Sequence, residues 1–165
     1  EVLNTDAEGR LILADALSYA QTLNPKLTID IATLTGAANA AVGEHAAVIL
    51  GTAGKELKTL IQTGLEQWEP LVEFPLWSMY AEQLKSDMAD MKNVGGQYAG
   101  TITAAKFLQK FTDYPWIHID IAGSAYVRNK YSYKGVGATA FGVRLLYEGI
   151  KKLEEIVIRK REINC

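Results

Sequence analysis

Apolar and polar positions along the chain follow two periods, and the period switches several times. Over 11–23, Ile12, Ala16, Tyr19 and Leu23 recur at steps of four, three and four, which is one helical face; Asn24-Pro25 stops it. Over 27–33 the period drops to two, with Leu27, Ile29 and Ile31 on one side and Thr28, Asp30 and Ala32 on the other, as in a strand. The small-residue run 35–43 fits a short helix or a packed loop equally well. Residues 46–50 form a short apolar strand closed by Gly51. Leu57, Leu60, Ile61, Leu65 and Trp68 mark a helix that Gly64 weakens. Pro70 and Pro75 bound an irregular link, and 77–84 reads as another short helix. Residues 87–100 hold Gly95, Gly96 and Gly100 and few periodic apolars, a long loop of the kind that often carries function. Ile102, Ala105, Leu108 and Phe111 predict a helix, 116–121 a strand, and 125–137 a polar, aromatic loop. Ala138, Phe141, Leu145, Leu146, Ile150 and Leu153 predict the last helix.

Strands alternating with helices predict an α/β fold, three layers α/β/α with a mixed, largely parallel sheet. No boundary interrupts residues 1–152. The tail, 153–165, interleaves Glu154, Glu155, Arg159, Lys160, Arg161 and Glu162 with Ile156, Val157, Ile158 and Ile163, and reads as a terminal helix or frayed end.

Composition narrows the class. At 165 residues the chain suits one domain, and 48% hydrophobic with 22% charged residues excludes a disordered chain. A net charge of −2 argues against a strongly basic nucleic-acid binder. Cys165 is the single cysteine, so no internal disulfide forms, and a reducing, cytoplasmic setting is expected. No apolar run reaches the roughly 20 residues of a membrane-spanning helix, so no membrane partner is expected. The first residue is Glu1 rather than methionine, which fits a fragment or a processed product.

Candidate chemistry concentrates in Asn4-Thr5-Asp6-Ala7-Glu8-Gly9-Arg10. In an extended segment Asp6, Glu8 and Arg10 face one way. Two carboxylates are hard ligands for magnesium, manganese or zinc, and the guanidinium can hold an anion. Thr5 and Glu8 fit a helix-opening capping box equally well, with Asp6 favoured by the helix dipole. A local echo accompanies this segment: Ile29-Asp30-Ile31-Ala32 recurs as Ile119-Asp120-Ile121-Ala122, each closing a strand. In open α/β sheets ligands bind at such carboxyl ends. Asp30 and Asp120 are expected to hydrogen-bond backbone there. His118, on the face of Trp116 and Asp120, is expected to be a buried structural histidine, and His45 a surface residue. Asp87 and Asp90 with Lys85 and Lys92 read as a solvated or intersubunit charge cluster. Tyr126, Tyr131 and Tyr133 with Arg128, Lys130 and Lys134 form a basic aromatic loop suited to specificity or subunit contact, with nucleic acid the alternative.

The segment from Asn4 to Leu11 resembles the signature octapeptide of the leucine (cytosol) aminopeptidase family. Ala32-Thr33-Leu34-Thr35-Gly36-Ala37 is similar to that family's substrate loop. Further similar blocks run from Leu84 to Gly96, from His118 to Gly123, and from Gly137 to Thr139 through Val143 to Leu146. They occur in the family's order over nearly the whole chain. The resemblance implies a metal-dependent aminopeptidase that removes leucine-like N-terminal residues from peptides by two-metal hydrolysis. It implies that Asp6 and Glu8 ligate a pair of divalent metals, zinc or manganese with magnesium as a third choice. It implies that Arg10 is catalytic and positions a bicarbonate. It implies that Thr33, Leu34, Gly36 and Ala122 bind the substrate's backbone and first side chain, and that Asn4, Ala7 and Val94 lie on the leaving-group side. A homohexamer is implied as well.

Family members are about three times longer. Upstream of the signature they carry a lysine and two aspartates that complete the metal pair, and a second, catalytic lysine. The chain is therefore expected to be the C-terminal portion of the catalytic domain, with an incomplete sheet, inactive by itself and prone to self-association. The alternative is a non-catalytic scaffold or DNA-binding module that keeps the aminopeptidase fold.

Overall fold

The computed structural model describes residues 1–129 and 135–163, with side chains as far as residue 155. A 3-10 turn, Thr5–Ala7, leads into α1 (Gly9–Gln21), β1 (Thr28–Ala32), α2 (Gly36–Val42), β2 (Ala47–Gly51), α3 (Gly54–Glu66) and β3 (Leu71–Glu73). A second 3-10 stretch, Ser78–Leu84, precedes α4 (Gly100–Gln109), β4 (Trp116–Asp120), β5 (Tyr126–Val127), β6 (Gly137–Ala138) and α5 (Val143–Ile163).

The main sheet runs β1-β4-β2-β3. β1 and β4 are parallel, β2 and β3 are parallel, and β4 meets β2 antiparallel. The α/β class and the mixed, largely parallel sheet therefore match the expectation. Alternation along the strands separates two cores. Val48, Leu50 and Trp116 face α1, α2 and α4, packing with Ala14, Leu17, Ala38, Ile102, Ala105 and Leu108. Ala47, Ile49, Ile117 and Ile119 face α3 and α5, packing with Leu57, Leu60 and Leu145.

Several local expectations change. The helix over 11–23 forms, but its chosen stripe points outward: Ile12, Tyr19 and Leu23 are exposed, and Arg10, Ala14 and Leu17 face inward. That inner face is the one that packs against α4. The α3 stripe ends early, with Leu65 and Trp68 exposed. Gly64, read as a weak point, is required by close packing, since a Cβ there would sit 2.6 Å from the Glu69 carbonyl oxygen. The irregular link holds a strand, β3. The ambiguous small-residue run is helix α2, opened by the Thr35 hydroxyl accepting from the Ala38 N–H at 3.1 Å. Ala138 and Phe141 precede the last helix rather than belonging to it.

Glu69 explains where α5 starts. Its buried carboxylate accepts from the Gly142 and Leu145 amides at 3.1 and 2.9 Å, and Arg144 pairs with it at 3.2 Å. An anion at a helix N-terminus meets both unpaired donors and the positive end of the dipole.

Candidate functional site

The first ten residues lie against the loop before α4. Asn93, 2% exposed, holds them. Its Oδ1 accepts from the Leu3 and Asn4 amides at 2.9 and 3.4 Å, and its Nδ2 donates to the Asn4 carbonyl at 2.8 Å and the Ala7 carbonyl at 3.5 Å. The Asn93 amide donates to the Glu1 carbonyl at 2.9 Å. One amide side chain thus places Asn4, Ala7 and the neighbouring Val94 together. Asn93 falls inside the similar block from Leu84 to Gly96, but its all-round bonding is invisible from spacing.

The capping box does not form. Asn4, not Thr5, caps the 3-10 turn by accepting from the Asp6 amide at 2.9 Å, and Glu8 makes no capping bond. Asp6 and Glu8 are exposed, and their carboxylates are free of any helix-capping duty. Ala7 between them is buried, and so is Arg10; the segment is a 3-10 turn and the start of α1 rather than extended, so Arg10 does not face the same way as Asp6 and Glu8, contrary to expectation. The Arg10 Nη1 donates to the Asn93 carbonyl at 3.0 Å, and its Nε is buried without a hydrogen-bond partner. Burial pushes the guanidinium below its ordinary pKa, and the Asp120 carboxylate offsets part of that push.

Asp120 closes β4 and is 1% exposed. Its Oδ1 accepts from the Leu34 amide at 3.0 Å and the Ala122 amide at 3.2 Å. Its Oδ2 accepts from the Thr35 hydroxyl at 2.7 Å, and Thr35 in turn meets the Thr101 hydroxyl at 2.8 Å. The Ile121 amide bonds the Ala32 carbonyl at 2.9 Å, extending the β1–β4 pairing by one step. The loop after β1 and the turn after β4 are thereby tied to one carboxylate. Leu34 also reaches α1: a Cβ on Gly9 would lie 3.6 Å from its Cδ1. The turn is as tightly seated, since a Cβ on Gly123 would fall 2.1 Å from the Gly43 carbonyl oxygen.

The structure therefore joins Asn4, Ala7, Arg10 and Val94 through Asn93, and Leu34 and Ala122 through Asp120, with Arg10 and Asp120 linking the two groups electrostatically. Thr33 and Gly36 are exposed beside Leu34, and no atom lies within 4 Å of a Cβ built on Gly36. One open cleft, of about 510 Å³, adjoins the site and is lined by Glu1, Val2, Leu11 and Asn93, and another, of about 520 Å³, lies by Lys26, Thr52 and Tyr114; neither is lined by Asp6, Glu8, Leu34 or Ala122. Two free, solvent-facing carboxylates are the donor type a divalent cation takes. Among the described residues no group of three or more His, Cys, Asp or Glu could hold a metal. The pair therefore fits such an ion as part of a ligand set.

The other candidates separate clearly. His118 is fully buried, as expected for a structural histidine, with its Nδ1 2.5 Å from the Asp30 Oδ1. Asp30 does not bond backbone: its Oδ2 accepts from the Trp116 Nε1 at 2.6 Å. His45, Asp87 and Asp90 are exposed. Of the basic aromatic loop, Tyr126 and Arg128 are exposed, while Lys130, Tyr131, Tyr133 and Lys134 lie outside the described residues, as do Cys165 and the side chains from 156 onward.

Comparison with known proteins decides the family. The model of the cytosol aminopeptidase family's catalytic domain matches residues 1–147. This chain belongs to the cytosol aminopeptidase family. It is 52% identical over 149 residues to a probable cytosol aminopeptidase of Syntrophotalea carbinolica, covering 90% of this chain and 30% of that protein. It is 51% identical over 152 residues to one of Geobacter sulfurreducens, covering 92% of this chain and 31% of that protein. A solved structure, the bottromycin maturation enzyme BotP in complex with Mn, superposes with a TM-score of 0.88 at 35% identity, covering 93% of this chain and 35% of that one. The chain thus spans about 30% of the length of the curated relatives it matches. Among the described residues no helix is long and apolar enough to cross a membrane.

Proposed function

We propose that the full-length protein carrying this chain is a metal-dependent aminopeptidase that removes leucine-like N-terminal residues from peptides. The observation that carries this reading is the pair Asp6 and Glu8, free of capping duty, on a turn pinned by Asn93 beside buried Arg10, in a chain of the cytosol aminopeptidase family. Asp6 and Glu8 supply part of the ligand set, and upstream donors complete it. The manganese in the BotP complex supports a divalent metal. Divalent metals bound there polarise the peptide carbonyl and lower the pKa of water.

This chain's own residues do the rest. Arg10 orients an anion, bicarbonate being the candidate, and counters negative charge that develops on the scissile group. Thr33 and Leu34 hold the substrate backbone. Gly36 and Ala122 leave room for an apolar first side chain. Asn4, Ala7 and Val94 border the leaving group. The 165-residue chain alone is inactive, because two carboxylates do not complete the metal site.

In the full-length protein, Asp6→Ala or Glu8→Ala is expected to lower hydrolysis of leucine anilide by more than about 100-fold, beyond what loss of an outer-shell partner costs. Near-normal turnover in both variants contradicts the assignment.

A further inference from the structure

Asp120 is not among the residues expected to meet metal or substrate, yet it is the most connected polar group at the carboxyl ends of β1 and β4. Its two oxygens accept three hydrogen bonds, two from the amides of Leu34 and Ala122 and one from the Thr35 hydroxyl. The fourth partner is electrostatic, the Arg10 guanidinium. The side chain is 1% exposed, so no water competes for these bonds. A buried carboxylate short of partners is strongly unfavourable, and the loops are therefore held where its partners are.

The valence of Thr35 makes the arrangement one-directional. A hydroxyl donates once and accepts twice. Thr35 accepts from the Ala38 amide and donates to Asp120, so Thr101 donates to Thr35. The chain Thr101, Thr35, Asp120 thus runs from α4 through the start of α2 to the end of β4. Each donor is oriented by the acceptor beyond it.

We propose that Asp120 is the positioning residue of the substrate pocket, setting the separation of the loop that carries Thr33 and Leu34 from the turn that carries Ala122. It rests on the aminopeptidase reading and adds a determinant of specificity to it. Asp120 touches no substrate. It acts by keeping the two walls of the first side-chain pocket in register and by opposing the charge of Arg10.

The test is a set of variants in the full-length protein, assayed on leucine, alanine and arginine anilides. Asp120→Ala removes both acceptor oxygens and with them all three hydrogen bonds. KM for the leucine substrate is expected to rise at least tenfold, and the preference for leucine over alanine to fall by a similar factor. Amide exchange in peptides covering 33–36 and 121–124 is expected to quicken. Asp120→Asn keeps the shape, and Thr35 can turn its hydroxyl toward Thr101; most of the leucine preference is expected to return. Asp30→Asn is the comparison for a purely structural aspartate, with lower thermal stability and an unchanged leucine-to-alanine ratio. Should Asp120→Ala fail to fold, Thr35→Val removes one of the three bonds to Asp120, along with the Thr101 contact and the cap of α2, and a three- to fivefold rise in KM is expected. Unchanged KM and selectivity in folded Asp120→Ala, or in Thr35→Val, overturns the positioning role. Wild-type protein that hydrolyses none of the anilides overturns the aminopeptidase reading itself.

Discussion

Two copies of one tetrapeptide, Ile29-Asp30-Ile31-Ala32 and Ile119-Asp120-Ile121-Ala122, lie on neighbouring parallel strands, and their aspartates do different work. Register explains the difference. Ile29 pairs with Ile117 and Ile31 with Ile119, so the second copy is displaced two residues toward the carboxyl end. At about 3.3 Å per residue the shift is roughly 6.6 Å, more than a strand spacing. Asp30 thereby falls opposite His118 inside the sheet, and its oxygens go to the side chains of His118 and Trp116. Asp120 falls opposite Ala32 at the sheet's end, and its oxygens go to two loop amides and a hydroxyl. Identical chemistry becomes a clamp between strands in one place and an organiser of loops in the other. A residue's role here is set by where the ladder ends, not by its local sequence.

The comparison breaks most visibly at the clamp. His118→Ala leaves a cavity and removes one of the two partners of the Asp30 carboxylate, so unfolding in denaturant is expected to show a loss of about 2–4 kcal/mol. KM for a leucine substrate in the full-length protein stays within twofold. A large KM change with little loss of stability would merge the two clusters into one functional unit.

Gly123 tests the other end. A methyl group there meets the Gly43 carbonyl, and Gly123→Ala is expected to cost about 1–3 kcal/mol while displacing the Ala122 turn, so stability and leucine selectivity fall together. Stability lost with selectivity intact would detach that turn from the pocket.

The smallest effect sharpens the contrast. Gly36 opens α2 with space around it, so Gly36→Ala is expected to add about 0.4–1 kcal/mol of stability by restricting the unfolded chain. The same methyl occupies room proposed for the substrate, and KM is expected to rise. A fall in stability would mean that Gly36 is there for the backbone rather than for the pocket.

Much of the architecture was legible in the alternation of periods. Strands β1, β2 and β4 and helices α1, α3 and α4 fall where the apolar spacing puts them, give or take a few residues, while α5 starts five residues later than its stripe and runs on to Ile163, through the segment read as a separate tail. The inward face of α1 was not legible, because Ile12, Tyr19 and Leu23 make as regular an apolar stripe as Ala14 and Leu17, which are the ones buried. Strand β3 was hidden between two prolines in a run of only three residues. At the site, Asp6, Glu8 and Arg10 stand out by type and spacing. Asn93, Thr35 and Thr101 do not, since their roles come from bonds between segments some 60 to 90 residues apart, which no local pattern records. Asp120 was expected to bond backbone, and it does; that one carboxylate also gathers Thr35 and faces Arg10 follows only from the fold.

The most direct test of the account is hydrolysis of leucine anilide by the full-length protein, before chelation, after it, and after restoring manganese or zinc. Turnover that disappears with the chelator and returns with the metal in wild type, and does not return in Glu8→Ala, is the predicted result. Turnover that survives exhaustive chelation, or that metal restores equally in Glu8→Ala, contradicts a catalytic metal site built on this segment.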